Sequence, residues 1–145
     1  MPDSTNWSGS FPWDNDITLT NQKVFLNEDF RENQREIINA VKMKKDVLAF
    51  IPTGGGKSLT FQLTAVTGQG VTIVIMPLVS LIEDNLSFVT QLGIKACSLS
   101  HANSSNAKSK GMGLMYRDIS QLKYKIVYLT PEKLMNSVAT ENVLK

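Results

Sequence analysis

Cysteine is nearly absent, with Cys97 the only one in 145 residues. An internal disulfide framework is thereby excluded, and a reducing compartment fits. Long apolar runs are also missing, and none approaches the ~20 residues of a membrane-spanning helix. The N-terminus has no basic stretch followed by an apolar one, so no secretory leader is expected. Neither sign of charge is in excess. Fifteen Lys and Arg against thirteen Asp and Glu leave a formal charge of +2, too little by itself to indicate a nucleic-acid partner. No internal repeat is visible. These absences describe a soluble, intracellular chain of one domain at most, with no membrane partner.

What is present is centred on Ile51-Pro52-Thr53-Gly54-Gly55-Gly56-Lys57-Ser58. The apolar run Val47-Leu48-Ala49-Phe50-Ile51 before it reads as a buried strand, and Leu59-Thr60-Phe61-Gln62-Leu63 after it can open a helix. Strand, glycine loop, Lys-Ser and helix is the context of a phosphate-binding loop. Glycines let backbone N–H groups turn toward an anion without Cβ clashes, and the helix start adds its positive dipole end. Lys57 would reach the β- and γ-phosphates, and the Ser58 hydroxyl would ligate Mg²⁺. The first glycine of the general GxxxxGK[ST] pattern is replaced by Ile51, so the loop is a variant.

Residues 1–22 are polar, with Ser, Thr, Asn, Asp, Gly and Pro dominating, and read as a flexible arm. Trp7, Phe11 and Trp13 stand out in it. They are either anchors for the domain or a partner, or incidental aromatics of a disordered tail. Phe30 to Met43 reads as a helix with Phe30, Gln34, Ile37, Ile38 and Val41 on one face. Gln34 is an amide among apolar neighbours. It can meet a nearby backbone group, or pair bidentately with the edge of an adenine.

Val71 to Met76 is apolar throughout and reads as a strand buried on both faces. Leu78 to Leu92 follows helical spacing and stops at Gly93. Ile94 to Leu99 is a third strand, with Cys97 as a small buried hydrophobe rather than a nucleophile. The stretch from Ser100 to Ser109 is polar and loop-like. His101 stands there alone, as an exposed loop residue rather than a metal ligand. A loose helix covers Lys110 to Leu122. Lys125 to Leu129 is a fourth strand. Thr130 then serves as N-cap and Pro131 as first-turn residue of another helix. Strands alternating with helices imply an α/β fold with a mostly parallel sheet and helices on both faces. The loops Pro52 to Ser58, Pro77 to Ser80 and Thr130 to Glu132 should then share one edge.

Four ordered segments together resemble the RecQ family of superfamily 2 DNA helicases, from about Ser8 to about Leu134. Phe30-Arg31-Glu32-Asn33-Gln34 resembles the adenine-recognition motif FRxxQ. Ile51 to Leu59 with Gln62 resembles the phosphate loop, in which Pro and Thr commonly precede the three glycines. Met76 to Asp84 resembles motif Ia, associated with single-stranded DNA, and Val127 to Leu134 resembles motif Ib. Ser8 to Trp13 is similar to the segment before the core in a short branch of the family. The resemblance implies an incomplete RecA-like domain over residues 23–145, preceded by the arm. It implies ATP held by Arg31, Gln34, Thr53, Gly54, Gly55, Gly56, Lys57 and Ser58, with Lys57 the catalytic residue and Mg²⁺ on Ser58. It places Ser80, Asp84 and Thr130 on the DNA side. Duplex unwinding in the 3′-to-5′ direction, DNA repair and recombination, and a nuclear location follow from the same resemblance.

The sequence departs from the family at three places. Asn27 holds the position where some members stack an aromatic on adenine, and Asn85 stands where Gln is usual. The DEAH box expected after motif Ib does not occur, nor does a second RecA-like domain. Because phosphoryl transfer depends on metal and arginine placement, such a piece is expected to bind without useful turnover. A non-catalytic nucleotide- or DNA-binding module is the rival expectation. An unrelated P-loop kinase would leave Phe30-Arg31-Glu32-Asn33-Gln34 unexplained.

Overall fold

The structure, a computed structural model, describes residues 3–99, 116–136 and 142. They form two compact units divided between Gln69 and Gly70.

The first unit is helical. It contains α1 (Asp14–Lys23), α2 (Gln34–Lys42) and α3 (Lys57–Thr67), and α3 packs against both α1 and α2. The expected flexible arm thus carries a helix. Asp14 and Asp16 sit in its first turn and Lys23 in its last, the arrangement that complements the helix dipole. Ile17 and Asn21 are the buried positions of α1, one turn apart. A polar composition hid a helix because only this narrow stripe is buried. The aromatics dock on α2: Trp7, Phe11 and Trp13 stack in series, with centroids 6.3 and 5.2 Å apart.

Helix α2 starts at Gln34, later than its periodicity predicts. Asn33 is left-handed at φ 66°, and the Gln34 N–H bonds the Arg31 carbonyl at 3.2 Å, so 31–34 form a turn. The expected apolar face is also rotated. Gln34, Ile38, Asn39 and Ala40 are buried, whereas Val41 is exposed.

Val47 to Ile51, expected as a buried strand, is not one. Leu48 and Phe50 are 84% and 90% exposed. An apolar run becomes a strand only beside a neighbour that accepts its ladder bonds. The backbone of residues 46–51 makes no hydrogen bond to any described residue.

The second unit is a three-stranded parallel sheet of order β1-β3-β2, built from β1 (Thr72–Ile75), β2 (Ala96–Ser98) and β3 (Ile126–Leu129). The central strand β3 is buried along its whole length. Cys97, Leu99, Ile119, Val127 and Leu129 form one core cluster, closed by Val71, Tyr116, Tyr124 and Leu134. Burial pushes the Cys97 thiol up to about 12, which makes it an inert hydrophobe as expected. Strand β1 departs from expectation: Ile73 and Ile75 alternate outward and stay partly exposed, so one of its faces is open.

Helix α4 (Val79–Gln91) packs on β2 and β3 through buried Ile82 and Val89. It ends as predicted, with left-handed Gly93 and an Ile94 N–H to Val89 carbonyl bond of 3.0 Å. Helix α5 (Pro131–Asn136) is capped by Thr130, whose hydroxyl accepts the Lys133 N–H at 3.4 Å. Residues 116–120 are helical within the stretch expected to be a loose helix. The start of that stretch, and the 100–109 loop with His101, lie outside the described residues. None of the described helices is long and apolar enough to cross a membrane.

The docked arm yields a pH prediction. The Asp14 carboxylate accepts the Phe11 N–H at 3.0 Å and pairs with Arg35 at 2.9 Å. The Phe11 bond first, and Arg35 beside it, hold the Asp14 carboxyl below its ordinary value of 3.8. Its stabilising contribution is therefore complete above the ordinary carboxylate range and lost as pH falls through the lowered folded value. Both tryptophans of the chain lie in the arm. Their emission is expected to stay constant down to about pH 4 and to shift red below it. Asp14→Asn should remove that step, and an identical acid transition in the variant would show that another group controls the arm.

Candidate nucleotide-binding site

The glycine loop opens α3 as the sequence predicts. Gly54 and Gly56 adopt φ +81° and +79°, left-handed values that favour glycine, and Gly56 is the residue before the first turn of the helix. Gly55 closes a tight turn, its N–H donating to the Pro52 carbonyl at 2.9 Å. Lys57 is exposed at the first position of α3 and Ser58 follows it, half-buried. Neither side chain bonds a described residue. An exposed ammonium and an uncommitted hydroxyl at a helix start are groups that an incoming polyphosphate can use.

Two side chains, Arg31 from the turn before α2 and Gln34 from its first position, close over this loop. The Arg31 guanidinium donates to the Gly54 carbonyl at 2.5 Å. The Gln34 amide donates to the Gly56 carbonyl at 2.8 Å and accepts the Arg31 N–H at 2.7 Å. The bond to a nearby backbone group, one of the two options for Gln34, is thus present. A primary amide has two N–H donors and an oxygen with two lone pairs. These contacts use one of each and leave one of each. Gly56 is held at contact distance: a Cβ there would collide with the Gln34 amide nitrogen and sit 3.3 Å from Arg31 Cδ.

Phe30, Arg31 and Asn33 also line a polar cleft of about 480 Å³ with Arg35. Asn27 does not line it; its amide donates to Asn21 Oδ1 at 2.9 Å in the turn after α1. The sequence reading missed the buried amides Asn21 and Asn39. Asparagine is a weak helix former, so Asn39 inside the predicted helix was an available signal, whereas Asn21 lay in a segment read as a flexible arm.

Ser80 and Asp84 lie exposed on the first turns of α4, after β1. Thr130 lies after β3 and is 8% exposed, with its hydroxyl at the start of α5. Since β1 and β3 are parallel neighbours, these two loops leave the same edge of the sheet. The phosphate loop belongs to the other unit.

Comparison with known proteins follows the same lines. The family profile described as DEAD/DEAH box helicase matches residues 31–145. The chain is 47% identical over 132 residues to the ATP-dependent DNA helicase Q-like 4B of Arabidopsis thaliana, covering 90% of this chain and 11% of that protein. It is 42% identical over 127 residues to the mouse ATP-dependent DNA helicase Q1, covering 88% and 19%. It is 36% identical over 149 residues to the ATP-dependent DNA helicase hus2/rqh1 of Schizosaccharomyces pombe, covering 100% and 11%. The chain therefore spans about a tenth to a fifth of these relatives. Its parallel sheet and flanking helices are those of an incomplete α/β RecA-like domain, and the chain belongs to the DEAD/DEAH box helicase family, its relatives being RecQ-type ATP-dependent DNA helicases.

Proposed function

We propose that this chain is the ATP-binding front of a 3′-to-5′ DNA helicase that unwinds duplex DNA during repair and recombination in the nucleus. The observation that carries the reading is the loop of Gly54 and Gly56 opening α3 at Lys57, with Arg31 and Gln34 bound to its carbonyls. Thr53, the three glycines and the α3 N-terminus hold the phosphates, and Lys57 neutralises charge on the γ-phosphate. Gln34 reads the adenine edge with its remaining N–H and lone pair, and Arg31 packs near the base.

Mg²⁺ would neutralise phosphate charge. The described residues hold no cluster of three His, Cys, Asp or Glu side chains for it. Ser58, free at the first turn of α3, fits as one ligand of an ion shared with phosphate oxygens. Single-stranded DNA would run past Ser80 and Asp84, with Thr130 shaping its loop through the α5 start. This polyanion path is supported by the two helix starts at one sheet edge.

The rival reading is a binding module without turnover. It is favoured by the absence of any Asp-Glu pair after an apolar strand in these 145 residues. ATP hydrolysis with Mg²⁺, with and without single-stranded DNA, separates the two. Binding without turnover is expected of this chain. DNA-stimulated turnover that Lys57→Ala abolishes would show a substitute for the missing acid.

Base reading has its own test. Gln34→Ala is expected to weaken ATP about tenfold or more, the size of a lost bidentate pair to a base edge of about 1–3 kcal/mol, and GTP much less. Calorimetric titration of both nucleotides measures it, and equal losses would remove adenine recognition from Gln34.

A further inference from the structure

The Trp7–Phe11–Trp13 arm has no role in the reading above, yet it is bound to the helix that carries Gln34. Its contacts fall on one side of α2. The Trp13 indole N–H donates to Asn39 Oδ1 at 2.8 Å, and the Asn39 amide donates to the Trp7 carbonyl at 2.8 Å. One fully buried side chain thus joins both ends of the aromatic stack to α2. One turn earlier Arg35 pairs with Asp14, and one turn later Lys42 lies over the Trp13 ring at 5.7 Å. The Lys42 ammonium continues to Thr67 on α3, at 3.0 Å from its hydroxyl and 3.3 Å from its carbonyl. Positions 35, 39 and 42 are i, i+4 and i+7, a single helical stripe.

Helix α2 needs such support. Its first turn has no side-chain N-cap, and its N-cap residue Asn33 is left-handed. Without a cap the start of a helix is held by what packs on it. Gln34 is five residues from Asn39, about 7.5 Å along a helix. A tilt of α2 therefore moves the Gln34 amide against the Gly56 carbonyl, and hydrogen bonding tolerates only a few tenths of an ångström.

We propose that the aromatic arm is a positioning device for nucleotide selection: by fixing the tilt of α2 it sets Gln34 at the register from which the base is read. Trp13 and Asn39 are its positioning residues. They reach the nucleotide only through α2, and this inference rests on the reading that Gln34 recognises adenine.

The test is titration of the whole chain with ATP, GTP and inorganic tripolyphosphate. Trp13→Ala is expected to lower ATP affinity about tenfold and bring the ATP-to-GTP ratio near one, as loss of the Gln34 contact itself would. Tripolyphosphate, which has no base, should change less than about twofold. Trp13→Phe keeps the stacked ring and removes only the N–H. It should fold and show a partial fall in the ratio, with Trp7 emission still reporting a docked arm.

Gln34→Ala separates this inference from the one beneath it. If Gln34→Ala abolishes discrimination while both Trp13 variants retain the parent ratio, the arm is not a positioning device and base reading stands. If Gln34→Ala also retains the parent ratio, base reading fails and the arm inference with it. Equal losses for ATP and tripolyphosphate in the Trp13 variants would mean general loosening of the unit, and would overturn the proposal.

Discussion

Lys57→Ala is expected to reduce ATP affinity by about 10- to 100-fold, the loss that follows from removing a charge-assisted hydrogen bond of about 1.5–3 kcal/mol. The ammonium is exposed at the first position of α3 and has no partner among the described residues. Its removal therefore leaves no buried group unpaired, and the melting temperature should hardly move. That split between binding and stability is the distinctive outcome. Tripolyphosphate should be lost in parallel with ATP, because the lysine meets phosphate and not the base. Calorimetric titration and a thermal melt of the same sample give both readouts. Near-normal affinity in the variant would sink the phosphate-loop assignment. A large fall in melting temperature would instead make Lys57 a structural residue.

Gly56→Ala is expected to damage both stability and binding, in contrast to Gly54→Ala. Both glycines are left-handed, so either substitution incurs about 1–2 kcal/mol of backbone strain. Their surroundings differ. Nothing lies within 4 Å of a Cβ built on Gly54, whereas one on Gly56 meets the Gln34 amide nitrogen. Gln34 is 3% exposed and cannot swing into solvent. Displacing it breaks its bonds to the Gly56 carbonyl and the Arg31 N–H, a further cost of about 1–3 kcal/mol for buried polar groups left unmet. Denaturant unfolding should show Gly56→Ala less stable than Gly54→Ala by about that second amount. ATP should bind more weakly to it as well. Equal destabilisation of the two variants would mean that the Gln34 contact contributes nothing to the loop.

How much of this was legible beforehand differs from element to element. The glycine loop, the start of α3, the Gly93 stop of α4 and the Thr130 cap of α5 are local events. Each follows from the conformations that Gly, Thr and Pro allow within a few residues. The motifs in Phe30 to Gln34, Ile51 to Leu59, Met76 to Asp84 and Val127 to Leu134 carried the family for the same reason. They are short, ordered and chemically demanding.

Apart from the late start of α2, set by left-handed Asn33, the readings that failed concerned partners distant in sequence. Val47 to Ile51 has the composition of a strand but no neighbour to bond. Ile73 and Ile75 have the composition of two-sided burial but an open face. Residues 3–22 lack the composition of a packed segment, and only the fold decided between the two readings of their aromatics, by setting Trp7 and Trp13 against Asn39 of α2.

By itself the sequence determined the groups on offer: a glycine loop before Lys57-Ser58, an amide among apolar neighbours at Gln34, two candidate DNA loops and membership of a helicase family. Those depend on residue type and short spacing. Tertiary structure alone decided which groups meet. It brought Gln34 and Arg31 onto the Gly56 and Gly54 carbonyls and turned Asn39 inward. It also bound the arm to α2. A hydrogen bond acts over about 3 Å, so the pairing of residues twenty or thirty positions apart depends on how helices pack. That packing is a collective outcome of the core, and no single local pattern encodes it.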